Sequence, residues 1–371
     1  MNQLGGQSQR AAITCPRADE NMTHAHLGLE RRKSSARADM NGHPSDGQQS
    51  IKYEICLADA FAWLDARDIN SIHAIVTDPP YGLKEYSAIE KQKLRRGRGG
   101  VWRIPPSFDG CRRSPLPRFT VLDKVDRLAL HMFFSEFAGR AMRVLVPGGH
   151  VLIATNPLLS HLVYVPLIEA GFEKRGEIIR LVQTLRGGDR PKNAHAEFSG
   201  VTVMPRSRWE PWGLFRKPCE GRVQDNLRKW GTGGLRRISD DEPFTDVIRS
   251  APTRRDERII AAHPSLKPQA FMRQIVRASL PLGTGIVLDP FMGAGSTIAA
   301  AQAVGYASIG VEHDPVYFAM AREAIPALAR LKPNGTFLDH GHVNRKGAVA
   351  AKKSRAGSYQ QGGRVCGEAN C

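Results

Sequence analysis

Four short runs of β-branched and aliphatic residues constrain this chain more than any other feature: Ile72–Thr77, His150–Thr155, Ile286–Leu288 and Ser308–Val311. Each is followed at once by Asp, Asn or Glu. Runs this short and this apolar suit strands covered on both faces, as in a parallel sheet. Longer stretches with helical spacing separate them. The alternation predicts an α/β fold, a Rossmann-like and mainly parallel sheet with helices on both faces. A helix at about 125–145 is expected to turn Leu128, Met132, Phe134, Phe137, Ala141 and Leu145 to one side and to stop before Pro147-Gly148-Gly149. Asp314 before Pro315 reads as an N-cap and first helical residue, with the helix running through Ala324. A small-residue helix, Thr297–Val304, should end at Gly305.

The 371 residues allow two domains, or one large domain with insertions. Apolar residues at 41% and charged residues at 24% exclude a wholly disordered or collagen-like chain. The polar ends, residues 1–50 and the basic 341–371, cannot bury enough apolar surface to offset chain entropy and are expected to be disordered tails. No stretch approaches the roughly 20 apolar residues of a membrane span, and the start lacks the apolar core of a signal peptide, so a cytoplasmic protein is expected. Six scattered cysteines (Cys15, Cys56, Cys111, Cys219, Cys366, Cys371) show neither disulfide nor zinc spacing, and no metal site is expected. A net charge of +17 favours a polyanionic partner, with nucleic acid the first suspect. Ten of the lysines and arginines fall in 84–118 against three acids, in what reads as an internal basic loop. Residues 183–262, rich in Arg, Gly, Pro and Trp, break the strand–helix pattern and read as a recognition region.

Two motifs carry the chemistry. Asp289-Pro290-Phe291-Met292-Gly293-Ala294-Gly295-Ser296 lies between a strand and a helix, where glycines let the backbone approach a ligand at a helix N-terminus. Seventeen residues after Gly295 the next strand ends in Glu312, where a carboxylate can hold the ribose hydroxyls of a nucleoside. The missing third glycine speaks against a dinucleotide pyrophosphate, and no Gly-Lys-Ser/Thr is present for a nucleoside triphosphate. The second motif is Asp78-Pro79-Pro80-Tyr81, at the carboxyl end of a strand. Its two prolines remove two backbone donors and leave carbonyls beside a carboxylate. Such an acceptor-only cradle suits an exocyclic base amine, whose N–H groups Asp78 and the Pro79 carbonyl can take while Tyr81 stacks on the base. The structural alternative for each motif is a rigid turn next to a surface side chain.

Together these residues resemble the amino-methyltransferases of DNA, which move a methyl group from S-adenosylmethionine (SAM) to N6 of adenine or N4 of cytosine. The Asp-Pro-Pro-Tyr segment precedes the glycine motif by about 210 positions, which is similar to the circularly permuted β group of that family. The resemblance extends over roughly 51–330. It implies a catalytic half at 51–218, a small inserted target-recognition element at 219–262 and a SAM-binding half at 263–330. It implies catalytic roles for Asp78, Pro79, Pro80 and Tyr81, and cofactor contacts from Asp59, Lys267, Asp289, Phe291, Gly293, Gly295, Ser296 and Glu312. His263-Pro-Ser-Leu-Lys267-Pro268 is similar to the segment closing over the methionine end of SAM, and Cys56-Leu-Ala-Asp59 to the strand end near its adenine. A helix cap is the alternative for Asp59. Trp209–Phe215 looks like a strand near the target base. The implied partners are double-stranded DNA, a second copy of the chain and a cognate restriction endonuclease. Asp78 favours adenine, because the cytosine enzymes more often carry Ser there. An RNA or protein amide methyltransferase and a non-catalytic DNA-binding protein with the same fold are the rival readings.

Overall fold

A computed structural model describes residues 53–80, 107–108, 111–112, 122–182, 190–191 and 193–332. Tyr81, most of the basic loop 84–118 and both tails lie outside the described residues. In chain order the elements are β1 (Tyr53–Leu57), α1 (Ala60–Asp65), β2 (Ile72–Thr77), β3 (Ser107–Phe108), β4 (Cys111–Arg112), α2 (Lys124–Val144), β5 (Leu145–Ala154), α3 (Ser160–Glu169), β6 (Glu173–Leu181), β7 (Trp209–Arg216), α4 (Val223–Trp230), β8 (Val247–Arg249), α5 (Arg255–Ile260), α6 (Gln269–Ser279), β9 (Ile286–Asp289), α7 (Ser296–Val304), β10 (Ala307–Glu312) and α8 (Pro315–Arg330).

All four runs expected as strands are strands. They join an eight-stranded sheet in the order β1-β10-β9-β2-β5-β7-β6-β8, while β3 and β4 form a separate antiparallel pair. Within the large sheet only β7 runs against its neighbours. Alternation along the strands divides the core. Ile75, Val151 and Ile153 pack with α1, α2 and α3, whereas Ala74, Val76, Leu152 and Ala154 pack with α6 and α7. A third cluster joins α7 to α8 through Ile298, Ala321 and Ile325. Each fully buried aliphatic or aromatic side chain stabilises the fold by about 1.5–3 kcal/mol.

Local signals set the helix limits. Asp314 Oδ1 accepts from the Val316 and Tyr317 amides at 2.7 and 3.2 Å, so Pro315 opens α8. Gly305 ends α7 in the left-handed region at φ 80°. Helix α2 begins at a reciprocal Asp123–Asp126 capping box, and its buried stripe is Leu130, Phe134, Phe137, Ala141 and Val144. Leu128 and Met132, expected on that stripe, are 59% and 55% exposed. They sit two positions off it, about 200° round the helix at 3.6 residues per turn. Leu145 is the first residue of β5, and Pro147-Gly148-Gly149 lies inside that strand, where its register slips against β2. No described helix is long and apolar enough to cross a membrane.

His150 lies in the middle of the sheet, paired with Ala74 on one side and Arg216 on the other. Burial, aided by the nearby Arg216 and Arg175 charges, pushes its pKa down to about 3. An unfolded histidine takes up a proton near 6.5. Between those values the unfolded chain binds the extra proton, so stability should fall as pH drops through 6.5 toward 3. Urea unfolding at pH 7 and pH 5 should show His150→Leu losing less stability over that interval than the native chain. Equal losses would show that His150 does not carry this part of the acid sensitivity.

Candidate active site

Parallel strands bring their carboxyl ends to one rim of the sheet, where open α/β folds bind ligands. In register, Leu57 lies beside Glu312, Gly310 beside Asp289, and Thr77 beside Ile153. The residues that follow these strands therefore meet, although β2 and β9 are more than 200 positions apart in sequence. The Thr77 hydroxyl donates to Asp289 Oδ1 at 2.7 Å. Burial pushes the Asp289 carboxyl up to about 6, against hydrogen bonds from Thr297, Thr77 and the Phe291 amide that favour its charged form.

The glycine turn is built as the sequence suggests. Phe291 N–H donates to Asp289 Oδ1 at 3.1 Å, and its ring packs against Phe133 and Phe137. Gly293 and Gly295 have φ of 52° and 81°, the left-handed region that glycine adopts without strain. A Cβ on Gly295 would lie 2.5 Å from Ile325 of α8, and one on Gly293 3.1 Å from the His263 ring. Glu312 ties the turn to the next loop: Oε2 accepts from Gly293 N–H at 2.9 Å and Oε1 from Asp314 N–H at 2.8 Å. Ser296 opens α7, its hydroxyl accepting from Lys267 N–H at 3.2 Å and its carbonyl from Gln269 at 2.9 Å. The His263 ring stands edge-on to Tyr317 at 4.4 Å, and burial lowers its pKa. Asp59 is the N-cap of α1, with Oδ1 accepting from Phe61 and Ala62 N–H at 3.0 and 2.9 Å. It remains at the rim because Ala58 N–H donates to the Glu312 carbonyl at 3.0 Å.

Asp78 is partly buried at the end of β2, with Pro79 buried and Pro80 exposed. Its Oδ2 accepts a short hydrogen bond from Lys267 Nζ. Lys267 also reaches Glu210 Oε1 at 3.8 Å. Glu210 in turn accepts from Arg180 at 2.8 Å and from the Trp212 indole at 3.0 Å. Arg180, on β6, completes the chain through Ser250 Oγ and the Ala251 carbonyl. Burial alone would favour the neutral forms of Lys267 and Glu210. It pulls Lys267 down, but Asp78 and Glu210 beside it raise it above its ordinary value. Burial likewise pushes Glu210 up, and Lys267 and Arg180 hold it below its ordinary value. The rim thus carries two alternating ion pairs ending on Asp78. Lys267, assigned by resemblance to the cofactor alone, joins the two motifs: its backbone touches Ser296 and its ammonium Asp78. Glu210 and Arg180 escaped the sequence reading, although a lone acid inside the aromatic run Trp209–Phe215 was a usable signal.

The first half of the expected target-recognition element lies elsewhere. Lys217 Nζ donates to the Leu145 carbonyl at 2.7 Å, and Asn226 and Thr232 donate to the Pro147 carbonyl at 3.0 and 2.6 Å. Arg236 reaches the Tyr306 hydroxyl at 2.8 Å. All of these partners stand at the amino ends of the parallel strands, so 217–236 braces the edge opposite Asp78.

A family model described as DNA methylase, of the N6/N4 group, matches residues 72–323. The type II methyltransferase M.HindIII of Haemophilus influenzae is 26% identical over 272 residues, which are 66% of this chain and 86% of that protein. The type II methyltransferase M2.DpnII of Streptococcus pneumoniae is 30% identical over 93 residues, 25% of this chain; the match spans only 34% of that relative's length. Among solved structures, the Thermus thermophilus protein TTHA0409 is similar with a TM-score of 0.48 at 20% identity, covering 75% of this chain and 97% of that one.

The tight contact at Gly295 has a measurable consequence. Gly231 has a similar φ of 70°, but a Cβ there would meet only Leu282 at 4.0 Å. Both alanine variants carry backbone strain, and only Gly295→Ala adds overlap with Ile325. Gly295→Ala should therefore destabilise by about 1–3 kcal/mol more than Gly231→Ala in urea unfolding. Equal losses would mean that α8 yields and the turn is not closely packed.

Proposed function

This chain belongs to the N6/N4 family of DNA methylases, and we propose that it transfers a methyl group from SAM to the exocyclic amine of a base swung out of duplex DNA. N6 of adenine is the favoured acceptor and N4 of cytosine the alternative. The observation that carries this reading is the convergence of Asp78, at the end of β2, with the Gly293–Gly295 turn, at the end of β9, through Lys267.

The turn fits a nucleoside-bearing cofactor. A carboxylate offers about four acceptor sites, and Glu312 uses one on each oxygen for backbone amides, so it can also accept from ribose hydroxyls. Gly293 and Gly295 let the turn take its left-handed backbone while packed against His263 and Ile325, which holds its amides at the N-terminus of α7. When bound there, SAM supplies an electron-poor methyl on a sulfonium sulfur. Asp78 and the Pro79 carbonyl accept the two N–H bonds of the target amine and concentrate the nitrogen lone pair. The SAM sulfur would leave as a neutral thioether, and Asp78, which accepts one N–H of the amine, would take the proton that the nitrogen loses. Lys267 fixes the Asp78 carboxylate by holding Oδ2, Glu210 holds Lys267, and Arg180 holds Glu210. Swinging the base out costs a few kcal/mol, which contacts within the pocket offset; Tyr81 keeps the stacking role that its sequence position suggests. Asp78 as a carboxylate, a stronger acceptor than the hydroxyl of Ser, supports adenine.

Incubation with methyl-labelled SAM and unmethylated DNA, followed by nucleoside mass spectrometry, should give N6-methyladenine. Label confined to cytosine would overturn the choice of base, and no labelled nucleoside would overturn the reaction. Asp78→Ala should lower methyl transfer at least 100-fold, the scale seen when an aligned hydrogen-bonding partner is removed from a reacting centre, and leave SAM affinity within a few-fold. Lys267→Met should lower kcat at least ten-fold, with Lys267→Arg recovering part of the loss. A Lys267→Met enzyme altered only in SAM affinity would return Lys267 to a cofactor-binding role alone.

A further inference from the structure

The reversed strand β7 places a second surface on the Asp78 rim. Ala154, the last residue of β5, lies opposite Trp212, and Trp212 lies opposite Ile178. β6 continues to Leu181, three residues past that level, or about 10 Å at the rise of a strand. The described residues of the β6–β7 connection therefore lie at the end of the sheet that holds Asp78. Glu210, two residues into the rim end of β7, reaches Lys267 and so fixes this connection beside the site.

Among the described residues of this connection, 190–191 and 193–208, two kinds of side chain face solvent. Phe198, Val201 and Val203 are 45%, 47% and 62% exposed. Arg190, Arg206 and Arg208 are exposed as well. The backbone is held by turn hydrogen bonds, Phe198 N–H to the Ala194 carbonyl at 2.9 Å and Val201 N–H to the Phe198 carbonyl at 3.0 Å, and is anchored by Val182 N–H to Arg208 at 3.1 Å. Apolar groups bared among arginines suit a partner with anionic edges and an apolar interior that opens. Duplex DNA is such a partner: arginines neutralise phosphates, and apolar side chains wedge into base steps that have lost stacking. The basic face of α4, with Arg222, Arg228 and Lys229, has charge too. It belongs to the 217–236 brace at the opposite end of the sheet, beyond the roughly 13 Å of strand from His150 to Ala154.

We propose that the described part of the β6–β7 connection, residues 190–191 and 193–208, is the surface that grips DNA next to the swung-out base. Arg190, Arg206 and Arg208 lie on phosphates, Phe198, Val201 and Val203 enter the opened step, and 219–236 makes no DNA contact. The proposal rests on the methylase reading for the position of the base.

The test uses the full chain and a fluorescein-labelled 30-base-pair unmethylated duplex, with binding followed by anisotropy at several salt concentrations. The triple variant Arg190→Gln, Arg206→Gln, Arg208→Gln should raise Kd at least ten-fold and reduce the slope of log affinity against log salt by about 2–3, near 0.9 per phosphate contact. The triple variant Arg222→Gln, Arg228→Gln, Lys229→Gln should stay within two-fold with an unchanged slope. Phe198→Ala combined with Val203→Ser should lower methyl transfer at least ten-fold while keeping the native salt slope. An unchanged slope in the first variant, or an equal loss in the second, overturns the assignment of the surface. Full methyl transfer by the Phe198→Ala/Val203→Ser variant overturns the wedge. A native chain that binds the duplex but transfers no methyl sinks the methylase reading, while the two slopes still decide the surface.

Discussion

The Thr77 hydroxyl reaches Asp289 across 212 residues of chain and 2.7 Å of space, and the arrangement of the whole Asp78 rim depends on the pairing it marks. β2 and β9 share few rungs, with Ala74 beside Val287 and Ile75 beside Leu288. That short contact sets Asp78 next to the glycine turn. A slip of one residue would turn Ile75 and Val76 to the wrong faces of the sheet, so the two hydrophobic clusters enforce the register. The cores thus fix the geometry of the rim, and the rim groups contribute little to the choice of fold.

The chain of charges from Arg180 to Asp78 has a different character. Taking four ionised groups largely out of water is costly, and their mutual attraction roughly repays that cost only when each has its partner. Such a network is poor evidence of added stability. It restricts how the groups can sit: Lys267 cannot leave Asp78 without exposing Glu210 to Arg180 alone. Rigidity of this kind suits the proposed role of Asp78, since a preset acceptor needs no reorganisation at the moment of reaction.

Much of this was legible in the sequence, for physical reasons that differ by element. Ile72–Thr77 and Ile286–Leu288 could be read because central parallel strands are apolar on both faces and end abruptly. Asp314-Pro315 and Gly305 could be read because caps are local chemistry. The face of α2 was misjudged at Leu128 and Met132 because two apolar stripes share that helix, and only the packing of α2 on β5 decides between them. β6 was missed: Glu173-Lys-Arg-Gly-Glu at its start carries the charges of a strand near the sheet edge and shows no alternation. The site divides in the same way. Motif residues on adjacent strand ends were found, whereas Arg180 and Glu210 act through tertiary contacts that no spacing encodes. The place of 217–236 depends on hydrogen bonds to Pro147 and Leu145, which a reading along the chain has no means to see.

The strand order also bears on how the molecule comes into being. Synthesis delivers β2 and β5 well before β9, which begins about 210 residues after β2 ends and about 130 after β5 ends. Until β9 arrives, β2 has β5 on one side and an open edge on the other, carrying Ile72, Ala74, Ile75 and Val76, all of which are buried in the finished sheet. β1 offers no cover, since its partner in the sheet is β10. An open apolar edge is a template for pairing with another nascent chain. Production of this protein is therefore at greatest risk during elongation, and slow passage of the ribosome through the Arg- and Gly-rich 183–262 stretch would lengthen the exposure.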